Sequence, residues 1–97
     1  MSSREIIRTD NVSVRIMELD EGAATEWHFH TAVADFFVCL TGVVTVETRD
    51  PAETSTLSPG ERAEVHVGQV HRVVNLSPGK AEYLLVQGVG AYDFRRV

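Results

Sequence analysis

Short runs rich in Val, Ile, Thr and Phe recur along the chain at residues 12–17, 36–40, 43–48, 70–74 and 83–86. Between them stand turn-forming residues: Gly22, Gly42, Pro51, Pro59 with Gly60, Gly68, Pro78 with Gly79, Gly88 and Gly90. Apolar, β-branched runs of a few residues, separated by turn signals at roughly ten-residue spacing, predict an all-β sandwich or barrel. Val44 and Val46 alternate with Thr45 and Glu47, as a strand with one wet face requires. Helical periodicity is weak throughout. Residues 4–8 and 31–34 are each long enough for a turn and no more.

Strand parity sorts side chains onto faces. His28 and His30 point one way and Phe29 the other. Asp35, Phe37 and Cys39 share a face, with Phe36, Val38 and Leu40 opposite; His71, Val73 and Asn75 form a third set. Apart from Asp35, both faces of residues 35–40 are apolar. Such a strand is expected to be covered on both sides, by a second sheet or by another subunit. The stripe of Phe36, Val38 and Leu40 predicts a homodimer.

Length and charge narrow the possibilities. The 97 residues are one domain's worth, read as a single domain over 1–97. Fourteen acidic against nine basic residues give a formal charge of −5, the wrong sign for a phosphate-neutralising protein, so nucleic acid is not expected as a partner. No apolar run approaches the ~18 residues of a membrane span, and the N-terminus lacks a secretory apolar stretch. The single cysteine, Cys39, forbids an internal disulfide and points to the cytoplasm. All four histidines fall between His28 and His71.

Two imidazoles at i, i+2 on a strand project to one side and can be neighbouring ligands of one metal ion. Asp35 and His71 could complete a set of three imidazoles and one carboxylate. Nitrogen and oxygen donors without thiolate suit Fe, Mn, Ni, Cu, Co or Zn as a divalent cofactor, with positions left open for substrate or dioxygen. Taken alone, however, a His-x-His pair more often marks two surface or hydrogen-bonded histidines.

The spacing around these residues resembles the cupin superfamily, in its small single-domain bacterial form. The stretch Gly22-AATEW-His28-Phe29-His30-TAVA-Asp35-FFVCLT-Gly42 fits the first cupin motif, over 22–42. Gly60-ERAEV-His66-Val67-Gly68-QV-His71-RVV-Asn75 fits the second, over 60–75. The resemblance implies a jelly-roll β-barrel of six to eight strands, with one divalent transition metal held by His28, His30, Asp35 and His71. It further implies a small-molecule ligand or substrate inside the barrel. The expected activity is Fe- or Mn-dependent and dioxygenase-like, on a small oxygenated metabolite; the alternative is a non-catalytic binding or sensory barrel. A phosphosugar isomerase is disfavoured because the motifs supply no inward Lys/Arg cluster.

Two positions depart from the family pattern. The usual acid is Glu, and Asp35 is shorter by one methylene, about 1.5 Å. It either ligates directly or accepts a hydrogen bond from a ligand. His66 stands where the family has Pro, and is expected on a surface turn rather than as an acid/base at the metal's rim. Phe37 and Cys39 are expected on the cavity floor, and Asn75 in a turn hydrogen bond. Trp27 and Phe29 are expected in the opposite layer or an interface, and Arg72 in solvent or an interface.

Overall fold

A computed structural model describes residues 2–97. Ten strands follow one another: β1 (Ser2–Arg8), β2 (Val12–Leu19), β3 (His28–Phe29), β4 (Ala34–Thr41), β5 (Val44–Thr48), β6 (Glu53–Leu57), β7 (Arg62–Val65), β8 (His71–Val74), β9 (Ala81–Gly88) and β10 (Arg95–Arg96). There is no helix among the described residues. The strands form two five-stranded antiparallel sheets, ordered β1-β2-β9-β4-β7 and β10-β3-β8-β5-β6. This is the all-β architecture the turn spacing predicts and the jelly-roll barrel the resemblance implied, with ten strands in place of six to eight.

The sheets face each other across a core that includes Leu19, Phe37, Val44, Val46, Val73 and Tyr83. On β4 the parity reading holds: Asp35, Phe37 and Cys39 are buried, while Phe36 and Leu40 are about 40% exposed. Residues 4–8 are no turn. They lie within β1, whose seven residues are all exposed and whose extended form comes from pairing with β2. Residues 31–34 do hold a bend, ending where β4 begins at Ala34.

Two motif residues have a structural task. Gly42 has φ +70°, and a Cβ there would stand 2.9 Å from the Ala81 Cβ, so only glycine lets β9 approach this corner. Asn75 is fully buried. Its amide donates to the carbonyls of Leu19 (3.1 Å) and Gly79 (2.8 Å), and its oxygen accepts from the Ser77 amide and hydroxyl. It closes a turn, as expected. Trp27 packs against the guanidinium groups of Arg49 and Arg72, 4.0 and 4.9 Å from its ring centre. Arg72 also meets Glu47 at 2.7 Å.

Candidate metal centre

His28 on β3 pairs directly with His71 on β8, so two imidazoles separated by 43 positions of sequence become cross-strand neighbours. His30 follows two residues after His28 and keeps its parity. Asp35 comes from β4 in the facing sheet. Sheet pairing thus gathers His28, His30, Asp35 and His71, all buried, with one donor atom of each within 4.8 Å of the others.

The hydrogen bonds fix how the rings present themselves. Each Nδ1 lies against a backbone carbonyl: His28 on Glu26 (2.6 Å), His30 on Asp93 (2.5 Å) and His71 on Gln69 (2.8 Å). A carbonyl only accepts, so each Nδ1 carries the proton and donates it. In a neutral ring, Nε2 then presents a lone pair. For His30 and His71 that atom stands 3.2 and 2.8 Å from Asp35 Oδ2. Lone pairs facing a carboxylate repel unless a cation, either a ring proton or a metal ion, stands among them.

The donor set fits a metal. Ligand atoms about 2.1 Å from an octahedral ion stand about 3 Å apart when adjacent and about 4.2 Å apart when opposite. His30 and His71 stand 3.2 and 2.8 Å from Asp35, the spacing of adjacent ligands, and the whole set, within 4.8 Å, needs a small contraction to match. Backbone carbonyls that fix the imidazole tautomer are the usual partners of metal-bound histidine. Despite its shorter side chain, Asp35 reaches the rings, because β4 carries it into the space between the sheets.

The electrostatics agree. Burial, reinforced by the nearby rings of His71 and His30, lowers the His28 pKa to about 4, so His28 is neutral and able to ligate at ordinary pH. Burial also pulls His30 down, but the hydrogen bond and charge of Asp35 outweigh it and leave its pKa raised. Burial would push Asp35 up. Hydrogen bonds from His30, His71 and Gln87 overcome that and hold its carboxyl below the usual range, so it stays ionised.

A cavity of about 310 Å³ opens from this cluster, walled by Met17, Phe37, Tyr83, Leu85, Tyr92 and Phe94 among others. That is the low end for small-molecule sites, so its occupant is small. Burial, and then the Asp35 charge, raise the pKa of Tyr83, so its hydroxyl remains a neutral donor. Cys39 lies in the core beneath, its thiol against the Gly42 carbonyl at 3.4 Å, and does not line the cavity floor with Phe37. His66 is exposed in a turn and stands apart from the cluster.

Several cavity residues lie outside the sequence motifs. Gln87 donates to Asp35 Oδ1 at 3.0 Å and accepts from the Arg15 guanidinium at 2.7 Å. Arg15 shares the inward face of β2 with Met17, two residues on, which is buried. The chain's last residues close the mouth: β10 pairs with β3, Phe94 stacks on His28 at 4.2 Å, and Tyr92 lies 5.4 Å from His30. No hydrophobic pattern marks this segment, because its partners are histidines.

Asp93 anchors that closure through Thr31, whose hydroxyl and amide donate to its carboxylate at 2.6 and 2.8 Å. These bonds, the hydroxyl's first, lower the Asp93 pKa from 3.8 to about 2. A carboxyl depressed on folding adds stability above its unfolded pKa, and that stability is lost as pH falls through its folded one. The anchor is therefore expected to hold down to pH 3.8 and to release towards pH 2. The Thr31 amide resonance should titrate near the lower value; a midpoint at 3.8 would contradict the anchoring.

No curated protein sequence matches the chain. Among solved structures, the TT1209 protein from Thermus thermophilus is similar at 26% identity and TM-score 0.84, over 93% of this chain and 84% of that one. An uncharacterised double-stranded β-helix protein from Klebsiella pneumoniae is similar at 20% identity and TM-score 0.84, over 96% of this chain and 75% of that one. An oxalate oxidase in complex with the substrate analogue glycolate reaches TM-score 0.86 at 15% identity; this chain is 99% covered and spans 54% of the oxidase. Residues 15–87, containing every motif position and the cavity strands from β2 to β9, match the family described as cupin domain, and the chain belongs to that family.

Proposed function

We propose that this chain is a metal-dependent, dioxygenase-like enzyme acting on a small oxygenated metabolite inside the barrel. His28, His30, Asp35 and His71 hold one divalent transition metal ion, with Fe or Mn favoured. The observation that carries the reading is the convergence of three imidazole Nε2 atoms and one carboxylate at the base of a small, largely apolar cavity. A divalent ion bound there supplies a Lewis-acid centre at which an oxygenated ligand can be activated. The protein's own part is placement. Gln87 orients Asp35, the three backbone carbonyls orient the rings, and Phe37, Tyr92 and Phe94 restrict water. Similarity to an oxalate oxidase lends the oxidative class some support.

The test is elemental analysis of freshly purified protein, combined with oxygen uptake in the presence of diketones, catechols, thiols and uronates. One equivalent of metal and substrate-dependent oxygen consumption are expected. Metal-replete protein that turns over none of them sinks the enzyme reading. A second reading, a non-catalytic binding or sensory barrel, is favoured by the shortage of acid–base groups in the cavity beyond the metal cluster. Outside that cluster only Glu26, Tyr83 and Tyr92 among the lining residues could serve. Retention of one small ligand without conversion would select it.

We also propose a homodimer formed through the outer face of the first sheet. Register places Ile16, Leu84 and Val38 in one row across β2, β9 and β4, and Val14, Val86 and Phe36 in the next. Arg62 and Glu64 on β7 border the rows. An apolar centre with a charged border is the anatomy of a subunit interface. Light scattering should give twice the chain mass for the wild type and the single mass for Phe36→Glu; a monomeric wild type contradicts the dimer. Cys39, buried and unpaired, is compatible with a cytoplasmic location.

A further inference from the structure

Arg15 is the one cavity feature that neither the metal cluster nor the apolar walls explain. It lies on β2, paired with Leu85 of β9 and Glu5 of β1, and lines both the metal-proximal cavity and a second polar pocket beside it that contains Arg8 and Asp10. Its guanidinium donates once, to Gln87 Oε1 at 2.7 Å, and stands 5.6 Å from the centre of the Tyr92 ring. Its Nε is buried with no hydrogen-bond partner. Unlike Arg72, Arg95 and Arg96, it makes no ion pair among the described residues.

A buried N–H on a cationic group that lacks an acceptor is costly, and natural structures seldom keep one without a use. The surrounding charges point to the use. Asp35 is committed to the imidazoles of His30 and His71, and Glu26, at the rim, is paired with Arg96 at 2.9 Å. Among the described residues no carboxylate pairs with Arg15: Glu5, opposite it on β1, and Asp10, in the second pocket, are both exposed and neither reaches it. A guanidinium offers a planar fork that matches a carboxylate, and here the fork is one glutamine side chain away from Asp35.

We propose that the cavity takes a small carboxylate, its anionic group seated on the Arg15 guanidinium and its other end turned towards the His28-His30-Asp35-His71 cluster. This assignment rests on the ligand-binding cavity argued above and names the chemical class of its occupant. Arg15 sets specificity, rejecting neutral analogues because its charge would stay unpaired. Tyr92, stacked beside the guanidinium, closes over the same end.

Malonate serves as the probe and malonamide as its neutral counterpart, with binding measured by calorimetry on protein of known metal content. Wild type is expected to bind malonate and to bind malonamide at least ~10-fold more weakly. Arg15→Met, similar in length but uncharged, should lose at least ~10-fold for malonate at equal metal content, and Arg15→Lys should fall between. Arg15→Lys carries the test if Arg15→Met fails to fold, since a point charge without the fork should still weaken binding. Wild type that ignores millimolar malonate, or variants that bind it as wild type does, would overturn the proposal, as would equal binding of malonamide. Should purified protein prove unable to hold metal, the metal reading falls, while the same comparison on metal-free protein still decides the carboxylate site.

Discussion

Replacing His71 with alanine will leave the protein unable to retain a stoichiometric metal ion. Removing outer-shell partners of a metal site typically costs 10- to 100-fold in affinity; removing a direct donor should cost at least ~100-fold. The loss should exceed that of one donor in isolation. His71 faces His28 across β3 and β8, and its Nε2 is 2.8 Å from Asp35 Oδ2, so the carboxylate loses its nearest cationic or metal-mediated partner. His66→Ala is the matched control. It removes the fourth histidine, which is exposed and outside the cluster, and metal content should not change. Plasma mass spectrometry after dialysis against a chelator reads both. One equivalent retained by His71→Ala would remove His71 from the metal set.

Phe37→Ala is expected to destabilise the fold by about 3–5 kcal/mol, the usual range for deleting a buried aromatic side chain. Phe37 is 1% exposed and packs against Tyr83 and His71, with ring centres 5.8 and 6.3 Å away. A domain of this size shifts its Tm by about 4–8 °C per kcal/mol, so a loss of at least ~12 °C is expected. Set against total stabilities of about 5–15 kcal/mol, the variant is marginal at best. A thermal scan showing a drop under ~5 °C would mean that the cavity wall collapses around the missing ring.

These two residues were legible in the sequence for different reasons. Phe37 follows from the alternation along β4, where one face is apolar except for Asp35. The histidines and Asp35 follow from fixed spacings that also resemble a family. On β2 the same kind of reading would have misled. Val12, Val14 and Ile16 are the more hydrophobic set, yet the opposite set, with Arg15 and Met17, faces the cavity. Hydrophobicity does not say which face is the inner one, and an apolar outer face competes with the inner one for the signal. β1 carries no pattern, because both of its faces are exposed and only backbone pairing makes it a strand. The closing segment around Tyr92 and Phe94 was illegible for another reason. Its contacts are an aromatic stack on an imidazole and a backbone carbonyl offered to another, which leave no periodic trace.

That carbonyl belongs to Asp93, and it sets an order of events during folding. The four candidate donors lie within residues 28–71, yet the acceptor that orients His30 sits in the closing segment, which joins its sheet through the two residues of β10. A chain whose closing segment has not yet docked can therefore present a loose cluster of histidines before it can present a selective one. Capture of whichever divalent ion is most abundant at that stage would precede the geometry that chooses among ions, so the metal found in the purified protein should depend on the growth medium as well as on the finished site.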